Sequence, residues 1–199
     1  MIAQMMKIVT VTLALLPMVA SGQDHSPGEN NAPYAGFQQR GIKSLSEQDI
    51  EELRRGGGWG LALPAELNGR PGPAHLLDLK DELELSSEQV HRISLMYEEM
   101  RAAAVIAGAR FISAEAALNE AFASSDLEDK TLRELLAESA QARAELRFIH
   151  LSRHLATPDF LSKAQLKKYQ VLRGYTDDPC VQVPDGHDPD MWRRHKGCE

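Results

Sequence analysis

The stretch "LSSEQV", residues 85–90, decides how this chain folds, because its pattern occurs more than once. It returns as "LSKAQL" at residues 161–166 and, approximately, as "LSEQDI" at residues 45–50. Each copy has a leucine, a serine, two free positions, then Gln or Asp and an aliphatic residue. A serine three residues before Gln or Asp is typical of a capping box, in which each side chain binds the other residue's backbone N–H at a helix start. The three copies therefore predict three helix starts.

The individual positions of the pattern have distinct predicted roles. In the first copy Ser86 is the N-cap, Gln89 closes the capping box, and Leu85 and Val90 form a hydrophobic staple across the first turn. The other two copies supply the same four roles in the same order, with Ser162, Gln165, Leu161 and Leu166 in one and Ser46, Asp49, Leu45 and Ile50 in the other. A fourth start, Ser125 with Glu128, lacks the leading leucine. Three independently favourable caps would give the same words, and that alternative stays open.

The residues after Ser86 predict a long amphipathic helix. From Ile93 to Phe122 apolar side chains recur every three or four residues, which is the period of one helix face. The sequence "ASSD" at residues 123–126 interrupts this period, and a second helix is predicted over residues 127–154. A short link makes consecutive helices antiparallel neighbours. The predicted fold class is all-α: a long antiparallel helical hairpin flanked by shorter helices, with irregular N- and C-terminal arms.

Shorter helices are predicted on both sides of the hairpin. One covers residues 47–55 and ends at three consecutive glycines, and the other covers residues 162–174. Trp59 and Leu61 are expected to dock the Gly/Pro-rich segment onto the helices. Four regions follow: a signal peptide at 1–22, a flexible arm with a short helix and a Gly/Pro-rich wrapping segment at 23–84, the helical domain at 85–175, and an irregular tail at 176–199.

The N-terminal residues predict export. Lys7 precedes an apolar run at residues 8–20, and Ala20 and Gly22 supply the small residues that a signal peptidase needs before Gln23. The run is shorter than the about 20 residues that span a bilayer. We therefore expect a periplasmic protein with no stable membrane insertion after cleavage. An uncleaved membrane anchor is the alternative.

Both cysteines lie near the C-terminus, at Cys180 and Cys198. Export favours a disulfide between them. Because His187 and His195 lie between the two cysteines, a zinc site with two thiolates and two imidazoles is the competing interpretation. The histidine spacing matches no standard zinc finger.

The charge pattern excludes some functions. The net charge of −7 argues against a dedicated nucleic-acid binder, which needs a basic face. No nucleophile motif, phosphate-binding loop or zinc-protease motif occurs, so no enzyme is predicted. The arginines of the second long helix alternate with glutamates and predict a solvated charged face, or alternatively a rim that contacts unfolded or acidic clients: Arg143, Arg147 and Arg153 with Glu138 and Glu145.

Two histidines of the second long helix are the strongest candidates for chemistry. His150 and His154 are four residues apart, so they share a helix face and can reach one metal ion. If the hairpin turns at residues 123–126, facing residues have numbers that add up to about 249. This estimate places His150 at the level of Glu99 and Met100, and His154 at the level of Met96.

The predicted donors suit a transition metal. Imidazole binds Zn, Cu, Co and Ni, whereas thioether favours the softer copper. The predicted site has His150 and His154 as ligands with Met96, Met100 and Glu99 as helpers, and Glu98, Glu145, His75 and His91 are further donors nearby. Met100 also lies on the apolar stripe, so core and interface roles for these side chains are the alternative.

The repeated word resembles a known family. Its form Leu-Ser/Thr-x-x-Gln, found on both sides of a helical hairpin in an exported protein, is similar to the LTxxQ motif of the Spy/CpxP superfamily. "LSSEQ" at 85–89 and "LSKAQ" at 161–165 match it with Ser for Thr, and "LSEQD" at 45–49 approximates it. The stretch "LRFIHLSRHLATPDFLSKAQLKKYQVLRGY", residues 146–175, looks especially like the periplasmic heavy-metal sensor branch. The resemblance covers residues 85–175.

The resemblance implies a small α-helical periplasmic protein, often a homodimer. Members bind misfolded proteins without ATP, or bind metal ions and report envelope stress. In the metal-sensing branch hairpin histidines help form the site, which points to His150 and His154. We expect a metal-binding, stress-sensing protein holding Zn, Ni, Co or Cu, with a homodimeric state and an envelope sensor protein as partner. The rivals are a holdase for unfolded clients and a purely structural partner of an envelope sensor.

Overall fold

The computed structural model describes residues 32–198, and these residues are helical with no strand among them. Its α-helices are α1 (Glu47–Arg54), α2 (Leu63–Glu66), α3 (Pro73–Asp78), α4 (Ser87–Ala123), α5 (Asp129–Ala156), α6 (Lys163–Leu172) and α7 (Pro189–Lys196). Short 3₁₀ turns cover Phe37–Gln39 and Thr157–Phe160. The predicted all-α class with a long hairpin is confirmed. The predicted signal peptide lies outside the described residues.

The chain divides into two compact units between Ala35 and Gly36. The described residues of the first unit, 32–35, form a turn in which the Ala35 N–H donates to the Ala32 carbonyl over 2.8 Å. Helices α1 to α7 of the described residues all belong to the second unit. Within residues 32–198 no helix is both long enough and apolar enough to cross a bilayer.

All three copies of the repeated word form complete capping boxes. Ser46, Ser86 and Ser162 are the N-caps of α1, α4 and α6, and each box is closed by the residue three positions on. In the copy at α4 the Gln89 N–H donates to the Ser86 hydroxyl over 3.2 Å, and the Ser86 N–H donates to Gln89 Oε1 over 2.9 Å. The predicted starts of these helices are confirmed.

Two copies of the word also bind each other. Gln89 Nε2 donates to Gln165 Oε1 over 2.9 Å, and Gln165 Nε2 donates to Gln89 Oε1 over 3.2 Å. The same amides donate to the backbone carbonyls of Phe160, over 2.7 Å, and Leu83, over 3.3 Å. Each glutamine therefore caps its own helix and ties the start of α4 to the start of α6.

Helices α4 and α5 form the antiparallel hairpin. Arg110 on α4 binds Glu138 and Glu145 on α5, each over 2.9 Å, and Glu99 lies 3.7 Å from Arg153. The two residue numbers of each pair add up to a value close to the one estimated from the sequence for facing residues, and these values lie on both sides of the estimate.

The predicted capping role of Ser125 at the start of the second long helix is wrong. Helix α5 begins at Asp129 with Glu128 as N-cap, and that cap makes no side-chain hydrogen bond. Residues 124–128 form the link between the two helices. Ser125 lies inside this link, too far from Asp129 to cap α5. Ser124 instead ends α4, and its hydroxyl donates to the Ala121 carbonyl over 2.8 Å.

An apolar core lies where α1 packs on the hairpin. Leu53 is fully buried there against small and large apolar side chains of both long helices, which include Ala104, Ala107, Phe111, Ala142 and Leu146. Gly108 makes this close approach possible, because a Cβ at that position would lie 2.6 Å from the Leu53 carbonyl oxygen. The Trp59 ring packs against Phe111 with centroids 5.6 Å apart, which agrees with its predicted docking role.

A second apolar cluster joins α3, α4 and α6 through Leu76, Ile93 and Tyr169. The two short helices α2 and α3 lie in the Gly/Pro-rich segment. Both begin with a proline at the first or second helical position, where its missing N–H is not needed. The segment therefore has an ordered backbone that positions its side chains.

The C-terminal tail is more regular than its composition suggests. Helix α7 is capped by Asp188, whose side chain accepts the Met191 N–H over 2.8 Å, and it ends at Gly197 in the left-handed conformation. Cys180 and Cys198 form a disulfide. Because the two sulfurs bind each other, the competing zinc site with His187 and His195 lacks its thiolates. The His187 ring instead contacts the edge of the Trp192 ring, with centroids 4.9 Å apart.

Candidate metal centre

A cavity of about 400 Å³ lies between the hairpin and the segment that covers it, which runs from α1 to the start of α3. Helix α1, the glycine-rich loop at residues 56–60, helix α2 and the start of α3 form its walls on one side. Helices α4 and α5 close it on the other side with Tyr97, Met100, His150 and His154. Both histidines of the sequence-predicted pair therefore line one cavity, which is partly open to solvent.

His150 is the least satisfied side chain of this cavity. It is 3% exposed, and its Nε2 is buried without a hydrogen-bond partner among the described residues. Burial lowers the pKa of His150, and the neighbouring His154 lowers it further, while Glu52 opposes both effects. The imidazole is therefore neutral at pH 7, which is the state in which histidine binds a metal.

His154 is held in one tautomer by the covering segment. Its Nδ1 lies 2.7 Å from the Arg70 carbonyl oxygen, which can only accept, so Nδ1 carries the hydrogen. In the neutral ring Nε2 then keeps the lone pair. A carbonyl that orients a histidine in this way is common behind metal ligands.

Gly72 leaves room for the free nitrogen of His154. A Cβ at this position would lie 2.5 Å from His154 Nε2 and 2.7 Å from its Cε1. The backbone of Gly72 is extended with φ of −87°, a conformation that any residue can adopt. The glycine is thus required for space and not for its backbone conformation.

Of the three predicted helper ligands, the structure brings only Met100 to the cavity. Met100 is buried and lines the cavity together with both histidines. Met96 is half-buried and does not line it. Glu99 is exposed and pairs with Arg153 over 3.7 Å on the outside of the hairpin. Of the predicted ligands and helpers, the cavity is therefore lined by His150, His154 and Met100.

Glu66 is a carboxylate of this cavity that the sequence analysis did not single out. It lies on α2 and is 5% exposed. Its Oε2 has no hydrogen-bond partner among the described residues and lies 3.7 Å from His154 Nδ1. The only sequence sign of it is an acidic residue inside a Gly/Pro-rich stretch.

Trp59 fixes the glycine-rich wall of the cavity. Its N–H donates to Glu52 Oε1 over 2.9 Å, and its indole Nε1 donates to Asp49 Oδ1 over 2.8 Å. Hydrogen bonds from Ser46 and Trp59 lower the pKa of Asp49. The residue that closes the capping box of α1 thus also holds the loop. Arg143 is exposed, and its guanidinium also lies 4.8 Å from the centroid of the Trp59 ring.

The remaining predicted donors lie in several places. His75 lines the cavity near its opening, and its Nδ1 lies 3.6 Å from Asp78. His91 lines a separate surface pocket, and Glu145 is paired with Arg110. Within residues 32–198 no three His, Cys, Asp or Glu side chains stand close enough together to hold a metal ion as they are.

Comparison of the chain with protein-family models, curated proteins and solved structures found no match. The resemblance to the Spy/CpxP superfamily therefore stays a prediction from the repeated motif.

Proposed function

We propose that this protein is an exported metal-binding protein of the heavy-metal sensor or resistance type, in which His150 and His154 bind a divalent transition metal. One observation carries the proposal: His150 Nε2 is buried without a partner in a cavity that it shares with His154 and Met100. A buried polar atom with no partner is unfavourable by about 1–3 kcal/mol, and a ligand that binds it removes this penalty.

The donor types fit a transition metal. Imidazole nitrogens suit Zn, Cu, Co or Ni, and the thioether of Met100 adds a soft donor that favours copper. The Arg70 carbonyl orients His154, and the absence of a side chain at Gly72 leaves room for its ring. The bound ion would supply Lewis acidity or redox chemistry, whereas the residues of the cavity would hold and orient it.

The sensor part of the proposal follows from the motif resemblance and from the predicted export signal. A sensor requires that metal binding alter a surface that a partner contacts. The proposed partner is an envelope sensor protein, and a homodimer remains the predicted oligomeric state.

The decisive experiment is a calorimetric titration of the purified protein, with its disulfide intact, with Zn(II), Ni(II), Co(II) and Cu(II). We expect binding at micromolar concentration or tighter, and its loss in the His150→Ala/His154→Ala variant. The matched control is His187→Ala/His195→Ala, which removes the same number of imidazoles from the tail. Equal affinity of the first variant and the unmodified protein would refute the site.

A second candidate function is that of a holdase for unfolded proteins. It is favoured by large apolar side chains exposed on the hairpin: Leu95 and Ile106 on α4, and Phe148 and Leu155 on α5. The core face of the hairpin is already covered by α1, so a client would have to bind these exposed residues. Under this function Ile106→Ser/Phe148→Ser should weaken the suppression of aggregation of a heat-denatured model protein, and the double histidine variant should not.

A further inference from the structure

We propose that Glu66 transmits the presence of a bound ion to helix α6, because the ion draws the free oxygen of this carboxylate towards itself. The inference rests on the metal site proposed above and concerns how that site is read.

The two oxygens of Glu66 have different surroundings. Oε2 is buried without a partner at the cavity, whereas Oε1 accepts hydrogen bonds from the hydroxyls of Tyr169 and, over 3.1 Å, of Tyr175. Arg173 lies 3.4 Å from Oε1. Tyr169 is part of α6, and Arg173 and Tyr175 follow it. One carboxylate therefore connects the cavity to the last helix of the helical domain.

Charge gives the free oxygen its attraction to an ion. Imidazole and thioether ligands add no negative charge, so a divalent cation that they bind would need a nearby anion to compensate its charge. The cavity has two carboxylates, Glu52 and Glu66. Oε1 of Glu52 already accepts the Trp59 N–H. Glu52 is only half-buried, whereas Glu66 is 5% exposed, so Glu66 Oε2 is the buried carboxylate oxygen without a hydrogen-bond partner among the described residues.

Binding by Glu66 requires it to move. No three His, Cys, Asp or Glu side chains of residues 32–198 stand close enough to hold an ion as they are. Helix α2 is a single turn of four residues, with Gly60 before it and Gly69 after it in left-handed conformations. Such a short element between two glycine turns can shift as a unit.

A movement of Glu66 and α2 would affect helix α6 through two contacts. Tyr169 is fully buried and holds Oε1 directly, so it must follow the carboxylate or lose the hydrogen bond. Gly69 lies so close to the Gln170 side chain that even a Cβ would clash with it. The first turn of α6 is meanwhile tied to α4 by the Gln89–Gln165 pair. The shift would therefore act on the rest of α6 and on residues 173–175.

The test uses Co(II) as the probe and two readouts on the purified protein: the dissociation constant, and amide hydrogen exchange of residues 163–175. In the unmodified protein we expect saturating Co(II) to change exchange in that stretch. Glu66→Gln, which keeps the size of the side chain and removes the charge, should raise Kd by at least about tenfold and abolish the exchange change.

Two further variants separate ligation from structure. Tyr169→Phe keeps Oε2 and breaks the link to α6, so Kd should stay within about threefold while the exchange change is lost. Lys168, like Tyr169, lies on α6. Lys168→Gln removes its exposed ion pair with Glu84 and should behave like the unmodified protein in both readouts.

Each failure has its own signature. If the unmodified protein binds no Co(II), the metal site itself is refuted. If binding depends on His150 and His154 but Glu66→Gln binds equally well, or Glu66→Gln and Tyr169→Phe lose affinity equally, only the role of Glu66 is refuted. If Glu66→Gln does not fold, the unmodified protein decides: no change in exchange of residues 163–175 at saturation overturns the proposal.

Discussion

The segment that covers the hairpin packs against it in two contrasting ways. At one place Leu53 meets Ala104, Ala107 and Ala142, and this contact is entirely apolar. At the other place the same segment and the hairpin line a cavity. Two polar atoms of its residues, His150 Nε2 and Glu66 Oε2, are buried without a hydrogen-bond partner among the described residues. The first region has the composition of a stabilising core. The second keeps polar groups in a costly state, which a stable fold alone does not need.

The largest effect should come from the apolar region. Leu53→Ala removes a fully buried side chain and leaves a cavity beneath the close contact with Gly108, so we expect the free energy of unfolding to fall by about 2–5 kcal/mol. Denaturant unfolding measures this change. Leu95→Ala, on the exposed face of α4, is the matched control and should change it by no more than about 0.5 kcal/mol. A similar loss from both leucines would remove the distinction between the two regions.

The polar region should respond in the opposite way. His150→Leu replaces an unpartnered buried imidazole by an apolar side chain, so the free energy of unfolding should stay the same or rise by about 1 kcal/mol. Metal affinity, followed by calorimetry, should fall by at least about 100-fold if His150 is a direct ligand. A loss of stability as large as that of Leu53→Ala would instead show that His150 is a core residue.

The apolar framework is the part that the sequence predicted well. Capping boxes at Ser46, Ser86 and Ser162 are local, since each depends on residues three positions apart, and all three occur as expected. The periodic apolar stripe and the short link fixed the hairpin and its approximate register. That register placed His150 near Met100, and both line the same cavity.

The polar site was predicted only in part, for geometric reasons. The register gives the level of a residue along the hairpin but not its direction around the helix. Glu99 precedes Met100 by one residue, about 100° around an α-helix, and points outward to Arg153. Glu66 and Gly72 lie in a stretch of glycines, prolines and very short helices, where no periodic pattern exists. Their positions depend on long-range contacts such as those with Tyr169 and His154.

The contrast can be sharpened with two glycines of the covering segment. Gly72→Ala places a methyl group against His154 Nε2, so we expect metal affinity to fall by about tenfold, comparable to losing a supporting group of a metal ligand. Gly58→Ala is the matched control, because a Cβ there meets nothing within 4 Å. Calorimetric titration of both variants makes the comparison. Equal affinities would mean that His154 Nε2 does not face the ion.

The smallest expected effect is a pH dependence of stability that belongs to the polar region alone. Burial, and then His154, lower the pKa of His150 in the folded protein below the 6.5 of a free histidine, with Glu52 opposing. The unfolded chain therefore binds more protons than the folded protein as the pH falls below that value. The free energy of unfolding should consequently be highest above pH 6.5, where His150 is neutral, and should fall as the pH falls. A single group gives a slope of at most about 1.4 kcal/mol per pH unit.

Denaturant unfolding between pH 5 and pH 8 tests this dependence, with His150→Leu as the variant that should flatten it. Leu53→Ala should lower the whole curve and leave its slope unchanged, since no group that titrates in this range lies in the apolar contact. If His150→Leu kept the full slope, the burial of a neutral imidazole would not be its cause. The burial of His150 would then have no measurable cost to stability, and the two regions would differ in composition only. The proposal that the cavity serves binding would lose the support of that cost.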